Sequence, residues 1–472
     1  MQKPKQQPKL KQLPLLKRSE PSEKIYNRKG RESGPFYFVT APGYNPCGIV
    51  PKNNAMHTLT DTAGLEPLLN DIADSKIVML GEATHGTHEY YTWRTAISKK
   101  LIQEKGFRFI AVEGDWPDCY RINRYVKGYA DAGTDIRPIL RSFDRWPAWM
   151  WANWEIAALA EWLREHNSHL PVEERVGFYG LDVYSLWDSM HAMMGYLEKE
   201  DRQAAQSVKK AMACFEPFGE NEHLYARFSL NDHNCRDEVI ALLTEIRLKA
   251  QFLDGDREAG FNTEQNALIA VNAEKYYSSM IGFGNESWNI RDRHMMETLE
   301  RLLLFHGPLA KGIVWAHNTH IGDARATDMA RAGMVNIGQL ARDEYGEANV
   351  YLAGFGGYQG AVIAGSAWGA PMREMEMPPA REGSIEEVLH REPGSDCYLL
   401  FTEEPGRVFR QRTGHRAIGV VYDPERESGN YVPSVLSERY NAFIYLDQTS
   451  ALHPFHLHPK GAEVPETYPF GV

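Results

Sequence analysis

A short apolar run, Ile77–Leu80, is followed at once by a turn that is crowded with ionisable side chains. Its β-branched members predict a buried strand, Gly81 ends that strand, and a helical pattern begins near Thr87. In open α/β sheets, ligands bind beyond the carboxyl ends of the strands. This stretch therefore predicts an α/β fold, and it places Glu82 and His85 where such a fold holds its binding site.

The same arrangement recurs in three further apolar runs that end in ionisable residues. They are Phe109–Val112 before Glu113 and Asp115, Val176–Leu181 before Asp182, and Gly312–Ala316 before His317 and His320. Strands that alternate with helices pair in parallel and are covered by helices on both faces. We therefore expect a three-layer α/β/α fold with a mainly parallel sheet. Ionisable residues at four strand ends would converge at one edge, which indicates a functional site more strongly than any one residue does.

Apolar periodicity and turn signals predict the remaining elements. Helices are expected over 61–72, 87–105 and 149–166. The second of these has Thr87 as its N-cap and Gly106 as its end signal. Later strands are expected at Val350–Ala353, Cys397–Phe401, Ile418–Tyr422 and Ala442–Leu446. The glycine-rich stretch 354–360 matches no phosphate-binding motif, so we predict that it is a turn.

These elements divide the chain into four predicted parts. They are a disordered basic tail (1–33), an α/β catalytic core (34–184 and 306–455), a helical insertion (185–305) and a C-terminal tail (456–472). The insertion contains no strand pattern and is too long for a simple crossover, so it is a candidate lid over the cleft. The first tail has ten Lys and Arg against three Asp and Glu, and its Lys, Gln and Pro content is typical of a disordered arm.

Charge, hydropathy and cysteine content restrict function and location. The net charge is −11, and because the basic tail carries +7, the rest of the chain carries −18, which argues against a nucleic-acid partner. No apolar run could span a bilayer or serve as a signal-peptide core, so we expect a cytoplasmic protein without a membrane partner. Five scattered cysteines without a CxxC pair predict reduced thiols: Cys47, Cys119, Cys214, Cys235 and Cys397.

The convergent residues indicate hydrolysis by an activated water molecule, because no GxSxG motif supplies a serine nucleophile. A neutral imidazole accepts a proton from water when a carboxylate orients its other nitrogen. His85 is therefore the candidate general base, with Glu82 or Glu113 as the orienting carboxylate. Arg94 lies about two turns into the predicted helix and is long enough to reach back, either to pair with a carboxylate or to bind an oxyanion. Its alternative role is an ordinary charge on the helix surface.

Two His-x-x-His pairs favour a second mechanism. His85 and His88 form the first pair, and His317 and His320 form the second. Imidazoles at this spacing can share a metal ion, so a divalent metal such as zinc at His85, His317 and His320 is an alternative. No HExxH motif is present, and turns do not impose the geometry of a helix. The spacing leaves open which of His317 and His320 faces the cleft.

Five sequence blocks resemble those of the erythromycin esterase family: Gly81–Glu89, Arg94, Ala111–Asp118, Trp288–Met295 and Trp315–His320. The resemblance covers about residues 55–450 and is strongest to the branch of erythromycin esterase homologues. It implies an α/β core with added helices and hydrolysis of a macrolactone ester without a metal, which gives antibiotic resistance in the best-known members. Position by position, it implies that His85 is the general base, that Glu82, Arg94 and Glu113 act beside it, and that His317 or His320 is a further active-site histidine.

We therefore expect a hydrolase that cleaves a carboxylic ester or macrolactone with water activated by His85, without a cofactor. Arg94 or a histidine of the second pair would stabilise the oxyanion. The predicted substrate-binding residues are His88, Asp115, Trp116, Asp182 and Arg293. The acidic body suits a neutral or amino-bearing small molecule. A metal-dependent hydrolase and a homologue that binds a small molecule without turnover are the alternatives.

Several tryptophans are candidates for the wall of an apolar ligand site, although tryptophan clusters more often belong to the core. They are Trp116, Trp146, Trp149, Trp151 and Trp315.

Overall fold

Helices and strands alternate along the chain. The structure, a computed structural model, describes residues 56–219, 221–229, 234–249, 258–280, 285–401, 405–457, 464–465 and 467–470. The predicted basic tail and Cys47 lie outside these residues. The strands are β1 Met56–Thr58, β2 Ile77–Leu80, β3 Phe109–Asp115, β4 Gly177–Asp182, β5 Gly312–Trp315, β6 Val350–Gly365, β7 Met372–Met377, β8 Cys397–Leu400, β9 Arg412–Arg416, β10 Tyr431–Val435 and β11 Ala442–Thr449.

The α-helices are α1 Glu66–Ile72, α2 His88–Lys105, α3 Trp116–Val126, α4 Arg137–Arg141, α5 Trp154–Ser168, α6 Leu186–Glu200, α7 Arg202–Phe215, α8 Glu222–Ser229, α9 Arg236–Lys249, α10 Ala259–Ser279, α11 Glu286–His306, α12 Asn318–Ile321, α13 Ile337–Tyr345, α14 Ile385–Arg391 and α15 Leu436–Arg439. In the described part of the chain, no helix is both long enough and apolar enough to cross a bilayer.

A mixed sheet, which has nine strands within the described residues, carries the fold. Its order is β1-β8-β11-β6-β2-β5-β3-β4, with β7 beside β6. The strands from β11 to β4 in this order pair in parallel, whereas β1, β7 and β8 pair antiparallel with their neighbours. Leu80 of β2 and Val112 of β3 both lie opposite Trp315 of β5, and Val112 also lies opposite Gly180 of β4. The turns that follow these four strands therefore lie side by side.

Alternate side chains of the central strands pack against different sets of helices. On one face of the sheet, Val78 and Leu80 belong to a buried cluster with residues of α1, α2 and α5. On the other face, Ile77 and Met79 belong to a cluster with residues of α11, α13 and α14. A strand that is buried on both faces is apolar throughout, which is why the sequence marks these strands as continuous apolar runs. The predicted α/β fold with a mainly parallel sheet is confirmed.

Between β4 and β5, the described residues form the helices α6 to α11 and no strand. Residues of α6 to α10 bury a separate apolar cluster that includes Met190, Val208 and Leu268. Cys214, at the end of α7, forms a disulfide with Cys235, just before α9, so the prediction of reduced thiols is wrong for this pair. The two cysteines are 21 residues apart, and helix packing brings them together without any local sequence signal. That these helices act as a lid stays a prediction.

We expected the glycine-rich stretch 354–360 to be a turn, but this prediction is wrong, because the stretch is part of β6. Glycine is needed here because aromatic rings of neighbouring elements lie directly against the strand. A Cβ at Gly354 would lie 2.6 Å from the Tyr440 ring, and one at Gly356 would lie 2.5 Å from the Phe443 ring. Composition suggested a turn, whereas close packing explains the glycines.

The strand expected at Ile418–Tyr422 is also absent from the described structure. Ile418 and Val421 form only isolated bridges, to Thr84 and Gly365. The neighbouring strands β9 and β10 pair with each other in a separate two-stranded sheet. Of the apolar residues that suggested a strand, Ile418 is fully inaccessible and lies against the turn after β2, whereas Val421 is 38% exposed.

Candidate active site

A cleft of about 390 Å³ opens beyond the carboxyl ends of β2, β5, β3 and β4. Residues at the carboxyl ends of these four strands, or just after them, line it: His85, Glu113, Asp115, Asp182, His317 and His320. Much of the remaining wall is aromatic or apolar: Phe143, Trp146, Trp151, Tyr184, Trp288, Trp368 and Val420. The structure therefore brings together the ionisable residues that the four strand ends were expected to deliver.

The turn between β2 and α2 is packed tightly against two other parts of the chain. A Cβ at Gly86 would lie 2.0 Å from the Ile363 carbonyl oxygen, so only glycine fits there. The Gly86 carbonyl accepts hydrogen bonds from the backbone N–H groups of Ile363 and Leu452, each at 3.0 Å. These contacts hold the backbone of His85 between β6 and the segment that follows β11.

Glu82 links His85 to Arg94 within the core. Its Oε2 accepts a hydrogen bond from Arg94 Nη2 at 2.7 Å, and its Oε1 lies 2.9 Å from His85 Nδ1. Arg94 is fully buried and packs on Tyr91 and Trp315, 4.4 and 4.8 Å from their ring centres. A carboxylate that is paired with a guanidinium only accepts hydrogen bonds. His85 Nδ1 therefore carries a proton and donates a hydrogen bond to Glu82. Nε2 of His85 is then the basic nitrogen available to the cleft.

These contacts decide between alternatives that the sequence left open. Glu82, and not Glu113, is the carboxylate that orients His85. Arg94 reaches back along α2 as expected, but it pairs with Glu82 behind the cleft and does not line the cleft wall. The structure therefore supports neither the surface role of Arg94 nor its role as an oxyanion ligand.

Glu113 anchors the opposite side of the cleft. Its Oε2 accepts the backbone N–H of His317 at 2.8 Å, and its Oε1 accepts from Arg291 Nη2 at 2.7 Å. Arg291 also donates to both oxygens of Asp182, at 2.9 and 2.6 Å. Burial acts to raise the pKa of Glu113, but the charges of His320, Arg291 and His85 outweigh it and hold that pKa well below its usual range. Glu113 is therefore an anion that orders its neighbours.

His317 offers a donor to the cleft. Its Nδ1 accepts the backbone N–H of Thr319 at 3.3 Å and lies 2.8 Å from the Thr319 hydroxyl. Burial, with the neighbouring His85 next in effect, lowers the pKa of His317 well below its usual value, so the ring is neutral. A neutral ring that accepts at Nδ1 carries its proton on Nε2. This Nε2 is buried and makes no well-formed hydrogen bond with the described residues, although the backbone of Ala83 is close enough to act on the pKa of the ring.

His320 is held from three sides. Its Nδ1 lies 2.9 and 3.0 Å from the two oxygens of Asp292, and Trp288 stacks on its ring with centres 4.5 Å apart. Its Nε2 lies 3.0 Å from Arg291 Nη1, a hydrogen bond only when Nε2 is unprotonated. Burial opposes protonation, yet Asp292 and Glu113 raise the pKa of His320. Because these two carboxylates flank both ring nitrogens, they favour the protonated form of His320 over the hydrogen bond from Arg291.

Three of the predicted substrate-binding residues lie away from the cleft. His88 pairs with Glu155 on the other side of the turn. Trp116 is 1% exposed and packs in the core beneath the sheet. Arg293 is exposed on α11, because it is two residues after Arg291 and so points to the opposite side of the helix. The structure does not support a direct role for these three residues in the cleft.

Asp115 and Asp182, the other two predicted substrate-binding residues, do line the cleft. Asp115 pairs with Arg145 at 2.9 Å. Burial and the neighbouring charge of Asp115 raise the pKa of Asp118, a further cleft residue, to about 7. Of the candidate wall residues, Trp146 and Trp151 line the cleft, whereas the rest belong to the core: Trp116, Trp149 and Trp315.

The sequence-based site omitted Arg291, Asp292 and Trp288, which together surround His320. A signal was available, because these residues belong to the block Trp288–Met295 that carried part of the family resemblance. Helical spacing places positions 288, 291 and 292 on one side and 293 on the other. Applying that spacing to the block would have selected Arg291 in place of Arg293.

Two ring nitrogens in the cleft face a ligand without a side-chain partner among the described residues: Nε2 of His85, which can accept, and Nε2 of His317, which carries a proton and donates. The centres of the two rings lie 4.9 Å apart. Nδ1 of His85 and Nδ1 of His320 are taken by Glu82 and Asp292. A tighter set of potential ligands lies outside the cleft, at His88, Glu155 and His453, where the ligand atoms are within 4.8 Å of one another.

The chain is similar to known esterases in sequence and structure. The family model described as erythromycin esterase matches residues 102–449. Erythromycin esterase type II of Escherichia coli is 23% identical over 366 residues, which is 72% of this chain and 84% of that protein.

Two solved structures share the fold. A succinoglycan biosynthesis protein has a TM-score of 0.69 and 19% identity, over 84% of this chain and 96% of that chain. A mutant of the erythromycin esterase EreC in its open conformation has a TM-score of 0.61 and 16% identity, over 84% of this chain and 98% of that chain. Because the family model spans most of the sequence, the protein belongs to the erythromycin esterase family.

Proposed function

We propose that the protein is a hydrolase that cleaves a carboxylic ester or lactone with water activated by His85. The observation that carries this proposal is the buried contact series Arg94–Glu82–His85, which ends at the cleft. Membership in the erythromycin esterase family supports a hydrolase. The arrangement is that of a general base whose tautomer and orientation are set by a carboxylate.

In the proposed reaction, His85 Nε2 takes a proton from a water molecule as the water oxygen attacks the ester carbonyl carbon. The C=O bond becomes a C–O⁻ bond in the tetrahedral intermediate. When the intermediate collapses, the bond to the leaving oxygen breaks, and the imidazolium returns its proton to that oxygen. The products are a carboxylic acid and an alcohol, or one hydroxy acid from a lactone. Glu82 stabilises the transient imidazolium, and Arg94 balances the charge of Glu82.

The developing oxyanion needs a donor that is already in place. His317 fits this role, because its Nε2–H is buried at the cleft and makes no well-formed hydrogen bond within the described part of the chain. The centre of its ring lies 4.9 Å from that of His85. A fixed donor is most effective in a site from which water is largely excluded. Arg291 and Glu113 act as positioning residues, since the Glu113 carboxylate holds the backbone N–H of His317.

The cleft favours an apolar substrate that is neutral or carries an amino group. Tryptophan and phenylalanine side chains form much of its wall. Asp115 and Asp182 are neutralised by Arg145 and Arg291, and Asp118, whose pKa is raised to about 7, is only partly ionised at neutral pH. A volume of about 390 Å³ is within the range of small-molecule sites, roughly 300–1,000 Å³. The similarity to erythromycin esterase type II of Escherichia coli makes a macrolactone the first substrate to test.

The test is hydrolysis of erythromycin and a panel of neutral esters by the chelator-treated protein, with products identified by their gain of one water in mass. We expect turnover to survive chelation and to fall at least about 100-fold in His85→Gln. His390→Gln is the control, because His390 also pairs with a carboxylate, Asp447, at 2.7 Å, but does not line the cleft.

Three outcomes would contradict the proposal. Turnover that returns only with added zinc, in His453→Gln as in the wild type, would favour a metal-dependent hydrolase with its ion in the cleft. Binding of ligands without turnover on any substrate would favour a homologue that has kept the cleft as a binding site. Turnover that is unchanged in His85→Gln would remove this residue as the base.

A further inference from the structure

A second cluster of ionisable side chains lies behind the turn that carries His85. It contains His88, the first residue of α2, Glu155, the second residue of α5, and His453, in the segment after β11. Backbone hydrogen bonds join the three segments: His88 N–H to the Ser450 carbonyl at 2.9 Å, and Trp154 N–H to the His453 carbonyl at 3.1 Å. The cluster is therefore built on a part of the fold with a defined geometry.

Both imidazoles converge on one carboxylate oxygen. Nδ1 of His88 lies 2.6 Å from Glu155 Oε1, and Nδ1 of His453 lies 2.7 Å from the same atom. The two rings are perpendicular, with centres 5.2 Å apart. Two imidazole nitrogens and one carboxylate oxygen form a set that zinc accepts, with a fourth position open to water. Such a site needs only small side-chain rotations to admit an ion, because the ligand atoms already lie within 4.8 Å of one another.

The electrostatics of the cluster favour a cation. The Glu155 side chain is only 1% exposed, and among the described residues it pairs with no lysine or arginine. Burial opposes its ionisation, but hydrogen bonds from His453 and His88 lower the pKa of Glu155. Burial also opposes protonation of His88, and Glu155 outweighs it and raises the pKa of His88. A proton on the histidines therefore occupies the place that a metal ion would take.

The residues around the cluster leave a route for a metal ion from solvent and place an aromatic ring over the histidines. The His453 side chain is 39% exposed, which leaves a route from solvent. Phe470 stacks on His453 with ring centres 5.6 Å apart. It also forms an edge-to-face pair with His88, with ring centres 4.9 Å apart. An apolar ring beside the ligands limits competing hydrogen bonds from water and so favours retention of the ion.

We propose that His88, Glu155 and His453 bind one divalent transition-metal ion, zinc above all, at a site separate from the catalytic cleft. The ion would tie the segment after β11 to the starts of α2 and α5. It would act as a structural clamp for the turn that carries His85, since His88 follows that residue by three positions. This inference does not depend on the proposed esterase activity.

The test is zinc binding by the full chain after removal of metal with a chelator, measured by calorimetry and by metal analysis after gel filtration. We expect one zinc ion per chain and a rise in Tm on binding. His453→Gln should weaken zinc binding by at least about 100-fold, because it removes a direct ligand. Mutation of residues that only hydrogen-bond to metal ligands already lowers metal affinity by about 10- to 100-fold. This position is partly exposed, so the variant should fold.

The matched control is His390→Gln. His390 lies 2.7 Å from a carboxylate and its side chain is 38% exposed, close to the 39% of His453. No second histidine of the described residues pairs with the same oxygen. Zinc binding should be unchanged in this variant. It should also be unchanged in His320→Ala, which alters a histidine of the cleft. As a second readout, bound Co²⁺ should give the intense visible absorption of a four-coordinate site in the wild type and lose it in His453→Gln.

Three results would overturn the proposal. They are no zinc binding by the wild type, equal binding in wild type and His453→Gln, or binding that is lost in His320→Ala and kept in His453→Gln. The last result would place the metal in the cleft. Esterase activity is not needed for any of these readouts, so they separate this site from the proposed reaction.

Discussion

His85 and His88 are three residues apart on the chain, yet they belong to carboxylate clusters of different kinds. His85 pairs with Glu82, whose charge is balanced by the buried Arg94. His88 pairs with Glu155, which is shared with His453 and which, within the described residues, has no arginine or lysine partner. The first arrangement suits a base with one free nitrogen, and the second suits a bound cation. The counter-charge of the carboxylate therefore distinguishes two clusters that local sequence makes look alike.

The largest expected effect is on catalysis. His85→Gln should lower kcat by about 10²- to 10⁴-fold, because glutamine cannot accept the proton of water. The same variant should bind zinc as the wild type does, since the ligands proposed for zinc are elsewhere. Hydrolysis rates and zinc calorimetry on one preparation measure both properties. Loss of zinc binding in His85→Gln would show that the two clusters are one functional unit.

The next effect concerns stability. Arg94→Met should reduce the free energy of unfolding by about 3–5 kcal/mol, because it leaves Glu82 buried without its cation. Arg137→Met is the control, since Arg137 pairs with Asp135 at 2.8 Å on the surface, where solvent screens the pair, so its loss should change stability far less. Urea denaturation measures both values. Similar losses in the two variants would mean that Glu82 does not depend on Arg94.

A somewhat smaller effect is expected at the proposed oxyanion donor. His317→Ala should lower kcat by about 10²- to 10³-fold and change KM little, because the donor acts mainly on the transition state. Steady-state kinetics on one ester separates the two parameters. An increase in KM with an unchanged kcat would instead assign His317 to ground-state binding.

The smallest effect is a pH dependence that separates the two clusters. The folded-state pKa of His88 is raised above its ordinary value of 6.5, so its stabilising contribution is present below that value and is lost as pH rises through the raised pKa. Zinc competes with the same proton. The gain in Tm from zinc should therefore increase between about pH 5 and about pH 8.

Thermal unfolding over this pH range, with and without zinc, measures that gain. His453→Gln should show little gain at any pH, whereas His390→Gln should follow the wild type. A gain that decreases as the pH rises would contradict the competition between zinc and the proton.

Local patterns in the sequence predicted much of the fold and part of the site. Ile77–Leu80 is both a predicted and an observed strand, and His85 lies at its carboxyl end, in the cleft. The same approach selected Arg293 in place of Arg291, although helical spacing distinguishes the two positions. Cys214 and Cys235 could not be paired from the sequence, because their bond depends on how two helices pack.

The sequence by itself determined which residues form the strands and which ionisable side chains follow them, because the period of apolar residues reflects local backbone geometry. Only the tertiary structure decided that β5 lies between β2 and β3, that Glu82 orients His85, and that His88 turns away to Glu155. These choices depend on which segments, far apart in the chain, pack together. A local stretch of sequence does not specify which distant segments will pack against it. The partner of each buried carboxylate is therefore known only from the folded chain.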